Sequence, residues 1–303
     1  MSEHERPADP STPNATGLKG LLGRVASRAG RWLPLVGGTV WLAGCGRPFR
    51  LDGELQEPDP VATRDWLLPL NLDPSGCGPQ LRMQLRGAWL QAAAAEHASV
   101  ASFARVAQQL LAVGAPPALV QRALLAAQDE VRHARLCYSL ASAYGDQPLG
   151  PAPFPAACVP EQRATWTRAE LLERLALESL SDGCLNEGFA TVTAAAAAER
   201  ALVPAVRKAW SVIALDEAQH AELGWAVLAW CLEQEPSLAR RVEQELDRLP
   251  DTLPADAPRA LAEQQRAHGQ LSQGERERLF ARTRAAVYER GKRLLNPPRA
   301  LAG

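Results

Sequence analysis

Two eight-residue stretches carry residue types that could do metal chemistry. Residues 129–136 read DEVRHARL and residues 216–223 read DEAQHAEL, with Asp, Glu, His, Ala and Leu in common. Each contains Glu-x-x-His: Glu130 with His133, and Glu217 with His220. On a helix, residues i and i+3 share a face, so each copy presents one carboxylate and one imidazole to the same space. That donor set suits iron or manganese, and a bridging carboxylate can hold two such ions close together. A lone Glu-x-x-His arises often by chance. Two copies in matched octets are harder to explain away, although a bundle laced by Glu–His salt bridges would carry the same pair.

The elements that must position these residues are helices. Of the 303 residues 47% are hydrophobic, mostly Ala and Leu, and only 5% are aromatic, which argues for an all-α chain. Spacing predicts helices near 80–113, 117–145, 167–200 and 204–235. Gly114-Ala115-Pro116-Pro117 breaks the first pair and a turn near 201–204 breaks the second, so each pair forms an antiparallel hairpin. The Pro-rich stretch between the pairs, GDQPLGPAPFPAACVPEQRA, is long enough to cross the length of a bundle. The octets fall on the second and fourth helices, so the repeat reads as a doubled hairpin rather than a solenoid.

A dinuclear carboxylate site in such a bundle takes one further Glu from each remaining helix. On the first helix the apolar stripe Trp89, Ala93, Val100, Phe103, Ala107 includes Glu96, a costly placement for a carboxylate without a partner. His97 points about 100° away. The third helix offers Glu178 and Glu187, on opposite faces of a regular helix. Measured from a turn near 203, Glu187 reaches nearly the height of Glu217. Glu178 misses it by roughly 16 Å at 1.5 Å per residue. Glu187 is therefore the expected fourth carboxylate.

These residues resemble the ferritin-like superfamily over about 85–235. Asp129-Glu130-Val131-Arg132-His133 matches the D-E-x-R-H form of the motif found in its diiron oxidase and oxygenase branch. In the second copy Gln219 stands in place of the arginine. The resemblance implies a four-helix bundle of two antiparallel hairpins with a long crossover. It also implies a pair of iron ions, or manganese or a mixed pair, held by Glu96, Glu130, His133, Glu187, Glu217 and His220. Asp129 and Asp216 would support the ligand histidines. The implied activity is activation of dioxygen to hydroxylate, desaturate or N-oxygenate a small molecule or peptide, with an electron donor. Ferroxidase, iron-storage and peroxide-detoxifying proteins are the rival class. A non-catalytic bundle lipoprotein is a third.

The remaining chain divides into a leader over 1–45, an irregular Pro/Gly-rich arm over 46–79 that is expected to lie on the core with a short hairpin, the bundle over 80–235 and a helical extension over 236–303. The leader has basic residues, a short apolar run and Leu42-Ala43-Gly44-Cys45, which resembles a lipobox with Cys45 as the acylated residue. Lipid-anchored and cytoplasmic locations stand level on this sequence. Two roles fit the extension: covering the bundle, or pairing with a second copy as a homodimer. A net charge of −1 without a basic block gives no sign of nucleic acid as a partner. Six cysteines without C-x-x-C spacing give no sign of a zinc site. Near the octets, Cys137, Cys184, Phe103, Phe189 and Trp225 read as core, and Tyr138 reads as facing away from the site.

Overall fold

The computed structural model describes residues 46–51, 53–155, 166–254 and 260–296, together with the backbone of two short paired strands, β1 (Leu33–Leu35) and β2 (Gly38–Val40). The lipobox-like Leu42–Cys45 and most of the leader lie outside the described residues, as does the middle of the crossover.

The chain is mostly helical. Helix α1 spans Pro79–Ala112, α2 spans Pro117–Tyr144 and α4 spans Pro204–Gln234, each opening with proline in its first turn, where the missing N–H costs nothing. Helix α3 covers 168–200 in three parts: α-helical Arg168–Glu178, π-helical Ser179–Glu187 and α-helical Gly188–Arg200. It starts in a capping box, in which the Thr167 hydroxyl accepts from the Glu170 N–H and Glu170 accepts from the Thr167 N–H. Between α1 and α2 the chain turns on Gly114 at φ +73°, a conformation that suits glycine. The pairs α1–α2 and α3–α4 pack as hairpins, and α2 lies against α4.

The arm lies on the core, as its composition suggests. It forms a short hairpin, β3 (Arg50–Leu51) with β4 (Glu54–Leu55). Strand β5 (Pro60–Ala62) then pairs with β6 (Leu149–Pro151), so the arm is stitched to the first part of the crossover. The extension packs back on the bundle: α5 (Ala239–Asp247) and α7 (Gln273–Leu295) contact each other, and α7 lies along the second half of α3. A short α6 (Glu263–Ala267) precedes α7.

Among the described residues the apolar interior falls into two large clusters and a small third one of Phe49 and Ala98 under the arm. One large cluster gathers Phe103, Leu110, Leu175, Phe189, Leu228 and Phe280; the other gathers Leu85, Trp89, Tyr138, Val206 and Ile213. On α1, α2 and α4 the division falls at the buried Glu and His residues, and on α3 it falls just beyond Glu187, between Phe189 and Ala194. Trp89 and Phe103 lie seven residues either side of Glu96 and belong to different clusters. Ile213 and Leu223 bracket Glu217 and His220 in the same way. A polar layer therefore crosses the middle of the molecule between two greasy ends.

Candidate metal centre

That polar layer contains Glu96 from α1, Glu130 and His133 from α2, Glu187 from the end of the π segment, and Glu217 and His220 from α4. All are at most 2% exposed. They fall into two groups, Glu96, Glu130, Glu217 and His133, and Glu130, Glu187, Glu217 and His220. Within each group one donor atom per residue lies within 4.8 Å of all the others. Glu130 and Glu217 belong to both. The structure thus brings together all six residues singled out in the sequence, as two adjoining donor sets that share their middle carboxylates, and these buried groups could hold a metal ion.

The hydrogen bonding of these residues is deficient. Both carboxylate oxygens of Glu96, Glu130 and Glu187, Oε1 of Glu217 and Nδ1 of His133 are buried without a hydrogen-bond partner. Each such atom costs about 1–3 kcal/mol if nothing satisfies it. Such a layer is costly without partners, whereas cations held in the two donor sets would satisfy these acceptors.

The outer nitrogens are well supported. His133 Nε2 lies 2.9 Å from Asp216, and His220 Nε2 lies 3.3 Å from Asp129. Each aspartate thus holds the histidine of the other motif, not its own. With Nε2–H donated outward, the Nδ1 lone pairs face the carboxylates: His133 Nδ1 is 3.5 Å from Glu130, and His220 Nδ1 is 3.1 Å from Glu130. Arg132 ties the arrangement together, donating to Asp129 and Asp216 at 2.7 Å each. One arginine serves both halves, which removes the need for a second where Gln219 stands.

The electrostatics follow from this geometry. Burial, then the neighbouring Glu130 charge, pushes Glu96 well above the usual carboxylate range; burial and Glu217 do the same to Glu187. Burial also works against charge on Glu130, but the neighbouring His133 and His220 imidazoles outweigh it and bring Glu130 down. Burial opposes a charged His133, yet Asp216, Glu130 and Glu96 hold it well above the imidazole range, and Asp129, Glu130 and Glu217 do so for His220. Protons are thus held where cation charge would otherwise balance the carboxylates.

The other residues named from the sequence lie elsewhere. Glu178 accepts from Arg174 and Gln109 outside the cluster. His97 is packed between Trp66 and Phe154, and burial lowers its pKa to about 4. Tyr138 is buried beside Trp66, with burial raising its phenol. Cys137 and Cys184 are buried in the core, and burial holds the Cys184 thiol well above its ordinary value. Phe189 and Trp225 are core residues, and Phe103 forms a wall of the site with its ring 5.0 Å from that of His220.

Three features were missed in the sequence. Arm residues 46–49 are buried against α1: Ser99 Oγ donates to the Arg47 carbonyl at 3.0 Å, and Gly46, at φ +66°, has its backbone beside Ser99 and Glu96. The Arg47 side chain reaches across to the Glu178 carbonyl and over the Phe103 ring. Gly183 and Gly224 bring α3 and α4 so close that a Cβ on Gly224 would lie 2.7 Å from the Gly183 carbonyl carbon. The third is the π segment. Only the glycines left a usable signal, because they lie almost equally far from the turn at 203.

No family model, curated protein or solved structure matched the chain.

Proposed function

We propose that this chain is a ferritin-like protein that holds two iron ions in its polar layer and activates dioxygen to oxidise a bound small molecule or peptide. The observation that carries the reading is the pair of buried four-residue donor sets sharing Glu130 and Glu217. Four carboxylates match the charge of two divalent cations, and neutral Nδ1 donors complete each set. Manganese or a mixed pair fits the same donors.

Each residue then has a task. Glu96 and His133 would hold one ion and Glu187 and His220 the other, with Glu130 and Glu217, which belong to both donor sets, available to each. Asp216 and Asp129 keep the Nε2 protons and so fix which ring nitrogen faces inward. Trp89, Phe103 and the Ala-rich stripes keep water from the layer. The bound metals would supply electrons to dioxygen.

Metal analysis of the purified protein tests the reading, followed by anaerobic ferrous titration and exposure to oxygen under a spectrometer. Two metals per chain and a short-lived absorbance change without mineral are expected. One metal or none would sink the dinuclear site, and growth of a mineral core would replace oxidation by iron storage.

A further inference from the structure

Far along the bundle from the polar layer, the arm, the crossover end of α2 and the extension meet at Cys77, Tyr144 and His268. Cys77 Sγ lies 3.4 Å from His268 Nε2, and His268 Nδ1 lies 2.6 Å from the Tyr144 hydroxyl. Tyr144 and His268 are buried, while Cys77 is partly exposed.

The imidazole is held firmly in place. It follows α6, whose Ala267 carbonyl accepts from the Leu202 N–H in the α3–α4 turn at 2.8 Å. The next residue, Gly269, takes φ +73°, and a Cβ there would lie 3.0 Å from the Ala197 carbonyl oxygen and 3.1 Å from Trp210 Nε1. The close docking of this turn therefore fixes the ring beside the sulfur. Cys77 itself precedes Gly78, the residue that opens α1, and its N–H donates to Pro74 at 2.9 Å. The His268 imidazole nitrogen lies beside a partly exposed sulfur at the start of α1, which puts a proton acceptor within reach of the thiol, while burial lowers the ring's own pKa.

We propose that Cys77 is a reactive thiol, with His268 as its base and Tyr144 as the residue that orients the ring, and that it is a site of oxidation by peroxides. The thiol proton passes to His268 Nε2, while Nδ1–H donates to the Tyr144 oxygen. The sulfur attacks one peroxide oxygen, so an S–O bond forms and the O–O bond breaks. The departing hydroxide takes the proton from Nε2 and leaves as water. Sulfur is oxidised by two electrons to sulfenic acid and the peroxide is reduced. Cys137, Cys184 and Cys231 are buried and have no comparable path to solvent.

The test uses the full-length protein. Iodoacetamide labelling is followed cysteine by cysteine by peptide mass spectrometry across a pH series, and dilute hydrogen peroxide is followed by dimedone trapping. Cys77 should label at least roughly tenfold faster at neutral pH than a free cysteine peptide, and faster still than Cys137, Cys184 and Cys231. His268→Gln should bring that rate down to the peptide's, and Tyr144→Phe should fall between. Dimedone should add at Cys77 in the wild type. Wild-type labelling of Cys77 no faster than the free peptide overturns the proposal without any variant. So does a folded His268→Gln protein with an unchanged profile, or absence of the dimedone adduct.

Discussion

Replacing Glu187 with leucine should make the metal-free protein more stable. Glu187 is 0% exposed and neither of its carboxylate oxygens has a hydrogen-bond partner. Burial and Glu217 both act against its charge. Exchanging a buried, uncompensated ionisable group for a packed apolar one gains roughly 1–4 kcal/mol, and an unsatisfied polar atom costs about 1–3 kcal/mol. A gain of about 2 kcal/mol raises Tm by roughly 3 °C in a chain of this size, at about 2.1 cal/mol/K of unfolding entropy per residue. The order inverts when metal is present. At a hundredfold excess over Kd a bound ion stabilises the wild type by about 2.7 kcal/mol, and Glu187→Leu forfeits much of that at one of the two ion positions. Calorimetry in chelator and then with excess manganous ion reads both signs. If Glu187→Leu melts below the wild type in chelator, the glutamate is a structural partner in a salt-bridge network. The case for a metal centre then loses its main support.

Asp216→Asn should weaken metal binding about tenfold to a hundredfold by loosening His133, as read by competition with a chromophoric chelator. Arg132→Gln should weaken both ions by a smaller step, because Asp129 and Asp216 share that guanidinium. Glu178→Gln should leave the metal stoichiometry unchanged by elemental analysis, since Glu178 lies outside the donor sets. Gly224→Ala should force α3 and α4 apart at Gly183 and cost about 1–3 kcal/mol in a denaturant titration. An unchanged midpoint would mean that the close approach is not rigid.

The helices were legible because their boundaries are written in single residues. Pro79, Pro117 and Pro204 open three of them, and Thr167 with Glu170 opens the fourth. Glu187 was legible from height alone, which depends on counting residues from a turn. Placing Glu178 and Glu187 on opposite faces presumes a regular helix. The whole interval between Glu178 and Glu187 is π-helical, so a fixed rotation of 100° per residue does not hold across it. The exchange of aspartates between the motifs was not legible. It depends on how α2 faces α4, and no local pattern records that. The path of Gly46 and Arg47 was hidden for a similar reason: turn residues show where a chain bends, not what it bends against.

The shared arginine also bears on how far the two copies of the repeat can drift apart. Had each octet kept its own cation, a substitution in one would have been felt in that copy alone. Here Arg132 neutralises one aspartate from each copy, and each aspartate orients the histidine of the other. Losing a charge at any of these three positions disturbs both imidazoles. The repeat therefore works as one interlocked unit, in which neither copy can change its charges without a compensating change in the other.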